Sequence, residues 1–216
     1  MKINTQLIRI AQGFVVMLAR PAFSIFLHLK VNGVENLNGV AEPYIIAPNH
    51  ISKFDPVVAL VVFSGILKRK PPFCATKEKY RGFPGKERFY RLLGGYKVYF
   101  GTGDYKKALV HHIDFLKNGY SVCIFPEGKI SLDGSPGEAK GGVSFLAYEV
   151  GVPIIPVAIS GLLGITFKEF FVGKRSVTVT ICKPIEVRGH TGADDRGNFN
   201  FHEHAQLVME RIKQNL

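Results

Sequence analysis

The feature that most constrains this chain is its alternation of short apolar runs with helix-patterned stretches. Apolar, strand-like runs cover residues 44–47, 73–76, 96–99, 121–125, 154–159 and 177–181. Helical patterns cover 57–68, 105–117, 139–150 and 201–215. Strands spaced by helices predict an α/β fold: a mixed, largely parallel sheet flanked by helices on both faces. With 216 residues, 46 % of them hydrophobic, the chain has material for one domain with a real core. Stretches 128–142 and 188–200 are rich in Gly, Asp and other turn formers and read as loops. No repeat or low-complexity tract divides the body.

The N-terminus reads differently. Residues 7–29 are apolar, with Arg20-Pro21 in the middle. Each half is shorter than the roughly 18 apolar residues a spanning helix wants. Two short helices bent at Pro21 are therefore expected, lying in a membrane interface with Lys2, Arg9, Arg20 and Lys30 near lipid phosphates. A pair of core-packing helices is the plainer reading. No small-residue cleavage site follows, so a signal peptide fits poorly. The division expected is a membrane-associating segment, 1–30, and a catalytic domain, 31–216.

Charge narrows the partners. Twenty-eight basic against 17 acidic residues leave +11, which calls for an anionic partner. The basic residues are spread along the chain and no recognition motif for nucleic acid accompanies them, so an anionic membrane surface is favoured. The three cysteines lack CxxC spacing, which argues against a disulfide framework or a zinc site. Adjacent His111 and His112 make a poor metal pair, and the 201–204 cluster reads as solvated helix, so no metal is expected. No GxSxG elbow is present, Gly101-Thr102-Gly103 lacks the third glycine of a dinucleotide loop, and Gly173-Lys174 lacks the leading glycine of a phosphate loop.

Two polar elements follow apolar runs in the same way. Asn49-His50-Ile51-Ser52-Lys53-Phe54-Asp55-Pro56 follows the run at 44–48, and Phe125-Pro126-Glu127-Gly128-Lys129 follows 121–124. A histidine is suited to take a hydroxyl proton near neutral pH, and better suited when a carboxylate holds its second ring nitrogen. Asp55 could serve His50 in this way, or simply cap the helix that Pro56 begins. Glu127 ends a buried-looking strand, where a carboxylate is costly unless paired or facing a cleft. Gly128 allows close backbone approach or a positive φ.

These residues, taken together, resemble the glycerolipid acyltransferases, the lysophosphatidic-acid acyltransferase group. Asn49-His50 through Asp55-Pro56 matches the histidine–four residues–aspartate motif. Gly94 through Asp104 stands where the second motif lies, Phe125-Pro126-Glu127-Gly128 matches the third, and residues 152–157 match the fourth. The resemblance implies transfer of a fatty acyl group from a thioester to the hydroxyl of a lysolipid, with 1-acylglycerol-3-phosphate the leading acceptor. The thioester, on coenzyme A or acyl carrier protein, is a co-substrate, and no cofactor is implied. His50 would be the general base and Asp55 its orienting partner. Asn49, Glu127, Gly128 and Lys129 would contact the acceptor. The protein would sit peripherally or monotopically on the cytoplasmic face of a membrane.

The chain also departs from the pattern. Phe100 stands where the second motif carries an arginine, and Ile130 where the third does. An arginine fork holds phosphate bidentately, whereas lysine is a point charge. Lys129, Lys77, Lys97 and Lys140 are the candidate replacements. The alternative reading is a catalytically weak or inactive protein of the same fold that binds lipid or acyl coenzyme A.

Overall fold

The structure is a computed structural model and describes residues 4–77, 85–99, 103–173, 175–187 and 199–216. Seven strands form one sheet: β1 (Lys30–Asn32), β2 (Ile45–Pro48), β3 (Phe73–Lys77), β4 (Gly95–Val98), β5 (Val122–Cys123), β6 (Ile154–Ser160) and β7 (Thr178–Ile181). Their order is β1-β7-β6-β2-β5-β3-β4, and every pairing is parallel except β6 with β7. The six strand-like runs correspond to β2–β7. The sequence reading missed β1, a three-residue strand whose partner, β7, lies far along the chain.

The helices are α1 (Thr5–Phe26), α2 (Asp55–Leu60), α3 (Lys86–Leu92), α4 (Tyr105–Ala108), α5 (Val110–Lys117), α6 (Gly142–Val150), α7 (Phe167–Val172) and α8 (Phe201–Lys213). The expected helix at 57–68 begins as α2 and widens into a π-helical turn over Val61–Ile66. The expected helix at 105–117 is broken at Leu109 into α4 and α5.

The central strands are buried along their length, and their side chains alternate between a core on each face of the sheet. Ile45, Ala47, Ile154 and Ala158 face one core, with α5, α6 and α8. Tyr44, Ile46, Ile155 and Val157 face the other, with α2 and the π-helical turn. Phe73, fully buried, stacks on Phe115 with centroids 3.9 Å apart. Truncating such a ring costs about 3–5 kcal/mol.

The N-terminus corrects the expected helical pair: α1 is one helix of 22 residues with Pro21 inside it. Proline costs a helix interior one hydrogen bond and about 3 kcal/mol. Contacts on both sides of Pro21 offset that loss. Before it, Ile8 is buried and Gln12 Nε2 donates to the Pro72 and Leu93 carbonyls at 2.9 and 3.2 Å. After it, Phe23 meets the Phe170 ring edge-on and Leu27 is fully buried. The outward face carries Leu7, Ile10, Phe14, Met17, Leu18 and Ile25, each more than half exposed. By length and composition, α1 also satisfies the criteria for a membrane span.

Candidate active site

Register brings the two polar elements together. In the parallel β2–β5 ladder, Ile46 pairs with Cys123. His50 lies four positions beyond Ile46, and Glu127 four beyond Cys123. Both chains leave the sheet at its carboxyl edge, where ligands of open α/β sheets bind. There the His50 amide donates to Glu127 Oε1 at 2.8 Å.

His50 is held from three sides. Its Nδ1 lies 2.8 Å from Asp55 Oδ2, its ring stacks on Phe125 with centroids 4.0 Å apart, and its carbonyl accepts the Ser131 amide at 2.7 Å. Asp55 Oδ2 also accepts the amides of Ile51 and Ser52 at 2.7 and 2.8 Å. An oxygen taking two backbone N–H groups is an acceptor, so the His50 bond to it runs from Nδ1–H. That tautomer leaves the Nε2 lone pair for a substrate hydroxyl. Asp55 is fully buried, and its carboxylate turns back toward residues 50–52. The simple capping role is therefore not what it performs, although Asp55 and Pro56 do form the first turn of α2.

Asn49 and Glu127, expected on the substrate, instead hold backbone. Asn49 is fully buried, and its amide exchanges two hydrogen bonds with Ile159 of β6, at 2.9 and 2.7 Å. Glu127 is 2 % exposed, and its second oxygen accepts the Gly137 amide at 2.9 Å. Ser131, Gly137 and Lys140 all donate backbone amides to the His50–Glu127 region, so the loop from Gly128 to Gly141 is tied down along its length. The sequence shows this stretch as a loop with Gly128, Lys129 and Lys140 as candidate acceptor contacts, but not its backbone bonds to His50 and Glu127.

Gly128 has φ +64, and a Cβ there would lie 3.2–3.3 Å from the Lys140 side chain. The positive φ favours glycine, and a side chain there would crowd Lys140, which crosses the turn. Lys129 and Lys140 line the cleft beside His50; the Lys77 side chain and Phe100 lie outside the described residues. The cleft measures about 620 Å³ and runs from His50 and these lysines between Ala75 and Val98 of the sheet and Ala108, Leu109 and Val143 of the helices. Its far wall is apolar. The 201–204 cluster is only partly the solvated helix expected: His202 is exposed and bonds Glu138 at 3.0 Å, but His204 is buried against the Ser144 hydroxyl at 2.9 Å, because it faces α6. His112 is fully buried, and burial, with repulsion from His111, holds its pKa down to about 3.

A largely parallel α/β sheet thus holds a carboxylate-bound histidine at its carboxyl edge, beside a mostly apolar cleft. A family model described as Acyltransferase matches residues 28–160. The chain belongs to that acyltransferase family. It is 29 % identical over 147 residues to a probable 1-acyl-sn-glycerol-3-phosphate acyltransferase of Mycoplasma genitalium, covering 65 % of this chain and 54 % of that one. It is 39 % identical over 170 residues to a chloroplastic 1-acyl-sn-glycerol-3-phosphate acyltransferase of Arabidopsis thaliana, covering 74 % and 44 %. The chain thus spans about half the length of these curated relatives. Its fold is similar to the crystal structure of the 1-acyl-sn-glycerophosphate acyltransferase PlsC from Thermotoga maritima, with TM-score 0.67 and 24 % identity over 94 % of this chain and 79 % of that one.

Proposed function

We propose that this protein is an O-acyltransferase that moves a fatty acyl group from a thioester to the hydroxyl of a lysophospholipid, 1-acylglycerol-3-phosphate in the first place. The observation that carries the reading is the Asp55–His50 pair facing a mostly apolar cleft. The relatives' names support the acceptor.

In this mechanism His50 Nε2 takes the proton of the acceptor hydroxyl as its oxygen attacks the thioester carbonyl. Asp55 stabilises the imidazolium that forms. The tetrahedral intermediate carries an oxyanion that requires a donor. Lys129 and Lys140 are the cations lining the His50 end of the cleft. Collapse of the intermediate breaks the C–S bond, and His50 returns its proton to the departing thiolate. The products are the acyl ester and the free thiol, of coenzyme A or acyl carrier protein, and no cofactor takes part.

The apolar part of the cleft takes the acyl chain. Lys129, Lys140 and Lys77 stand in for the two arginines as partners of the acceptor phosphate. Glu127 acts through the backbone of His50. In this reading the outward apolar stripe of α1 lies in the membrane interface, with residues 1–30 the docking segment and 31–216 the catalytic domain, on the cytoplasmic face.

The test is transfer by the purified full chain of a labelled acyl group, from acyl coenzyme A or acyl carrier protein, to a panel of lysolipids. Acylation of 1-acylglycerol-3-phosphate is expected. Consumption of neither thioester with any lysolipid would leave the protein a lipid binder of the same fold.

A further inference from the structure

A second concavity lies between α1 and the π-helical turn, on the other side of the sheet from the catalytic cleft. It measures about 540 Å³ and shares no residue with that cleft. Gly65 forms its floor: a Cβ there would lie 2.9 Å from Val16 and 3.5 Å from Arg20, so the two elements pass as close as glycine allows. Arg20 and Lys68 stand on its two walls. Among the described residues neither has a carboxylate within ion-pair distance. Ser64, also in the lining, has a buried hydroxyl oxygen with no hydrogen-bond partner among the described residues.

Two cations without counter-charges, on facing walls of one recess, make a site for an anion. Arginine supplies a fork suited to phosphate. The backbone supports this arrangement. The π-turn, a form that clusters at functional sites, widens the helix beside the groove. Lys68, just past that turn, is held at φ +57, an uncommon conformation for a side-chain-bearing residue.

The surroundings select the kind of anion. Met17, on the rim, is 59 % exposed and belongs to the apolar stripe that continues through Phe14 and Ile10. A charged recess at the edge of an apolar face matches an amphiphile, with the head group in the recess and the acyl chains along the stripe. A free phosphate would use the recess and leave the stripe bare.

We propose that this groove binds the phosphate head group of an anionic phospholipid of the docking membrane, separately from the substrates. The inference rests on the reading that α1 lies in the membrane interface.

The test titrates the full chain by calorimetry with dihexanoyl phosphatidylglycerol below its micelle concentration, and with inorganic phosphate alone. Saturable binding of one lipid at the groove is expected. Arg20→Gln with Lys68→Asn, asparagine being tolerant of positive φ, should weaken it about fivefold per charge, or roughly 25-fold. Gly13→Leu keeps both charges and meets nothing within 4 Å on the helix surface, but intrudes on the groove. It should weaken binding roughly tenfold. Arg211→Gln with Lys213→Gln, on α8 across the sheet, should change it less than about twofold.

Undiminished binding in Gly13→Leu would mean a diffuse field and overturn the groove. So would the absence of saturable binding, its survival in the Arg20/Lys68 variant, or inorganic phosphate binding as tightly as the lipid. A chain that binds the lipid as described but transfers no acyl group would sink the enzymatic reading and leave the groove standing.

Discussion

Glu127 grips the main chain of His50: its carboxylate accepts the His50 amide at 2.8 Å with one oxygen and the Gly137 amide at 2.9 Å with the other. One buried carboxylate thus ties the end of β2 to the loop that closes the site. A glutamine cannot make both bonds, because its NH2 would face one of the two N–H groups. Glu127→Gln is therefore expected to lower kcat about 10- to 100-fold, with acceptor KM within about threefold and a stability loss of about 1–3 kcal/mol. Steady-state kinetics and thermal melting check this. A large rise in acceptor KM at constant kcat would instead make Glu127 an acceptor ligand.

Asp55 gathers the Nδ1–H of His50 and two backbone amides on one oxygen. Asparagine offers a similar shape without the charge, and its NH2 favours the other tautomer of His50. Asp55→Asn should lower kcat by about 10²- to 10⁴-fold while leaving thioester binding within a few-fold. Single-turnover transfer together with a thioester binding titration separates these effects.

The apolar cleft makes a prediction about chain length. Ala108 lines it on the helical side, opposite Ala75 and Val98. Ala108→Phe should reduce kcat/KM for the longest acyl groups about tenfold or more and spare the short ones. A competition assay with a mixed-length thioester pool reads this directly. A uniform loss across all lengths would place the acyl chain elsewhere.

Much of this arrangement was legible in the sequence, and the failures have physical causes. Strands β2–β7 were legible because each is a short apolar or β-branched run between helical or turn-rich stretches. α7 was missed although Thr166 and Glu169 form a capping box, since six residues carry too little periodicity to stand out. Pro21 suggested two helices because proline strains any helix, but the anchoring of Gln12 and Phe23 is tertiary and invisible along the chain. The His50–Asp55 pairing was readable because its members are five residues apart. The partners of Asn49 and Glu127 were not. Asn49 bonds Ile159, 110 positions away, and Glu127 bonds His50, 77 away, so only the sheet register brings them together. The sequence did show that a carboxylate in Glu127's place needs a partner.

His112 predicts an acid sensitivity. Buried and neutral, it titrates near pH 3 in the folded state, below the ordinary 6.5 that applies to the unfolded chain. As pH falls below 6.5, the unfolded state binds a proton that the folded state refuses. Stability is therefore lost on acidification, at up to about 1.4 kcal/mol per pH unit, in the window between about 6.5 and 3. His112→Leu should flatten this slope of unfolding free energy between pH 6.5 and 4.5 by close to one proton. Denaturant melts at several pH values check it; an unchanged slope would assign the acid sensitivity to other groups.

The central claim is that His50 is the base for acyl transfer, and its most direct measurement is thioester consumption by purified His50→Ala with 1-acylglycerol-3-phosphate as acceptor. The ring is partly exposed, at 16 %, and its loss should leave the melting temperature within about 3 °C of wild type. The account predicts robust transfer by the wild type and a fall of at least about 10³-fold in the variant. Wild-type turnover from a folded His50→Ala chain would contradict it.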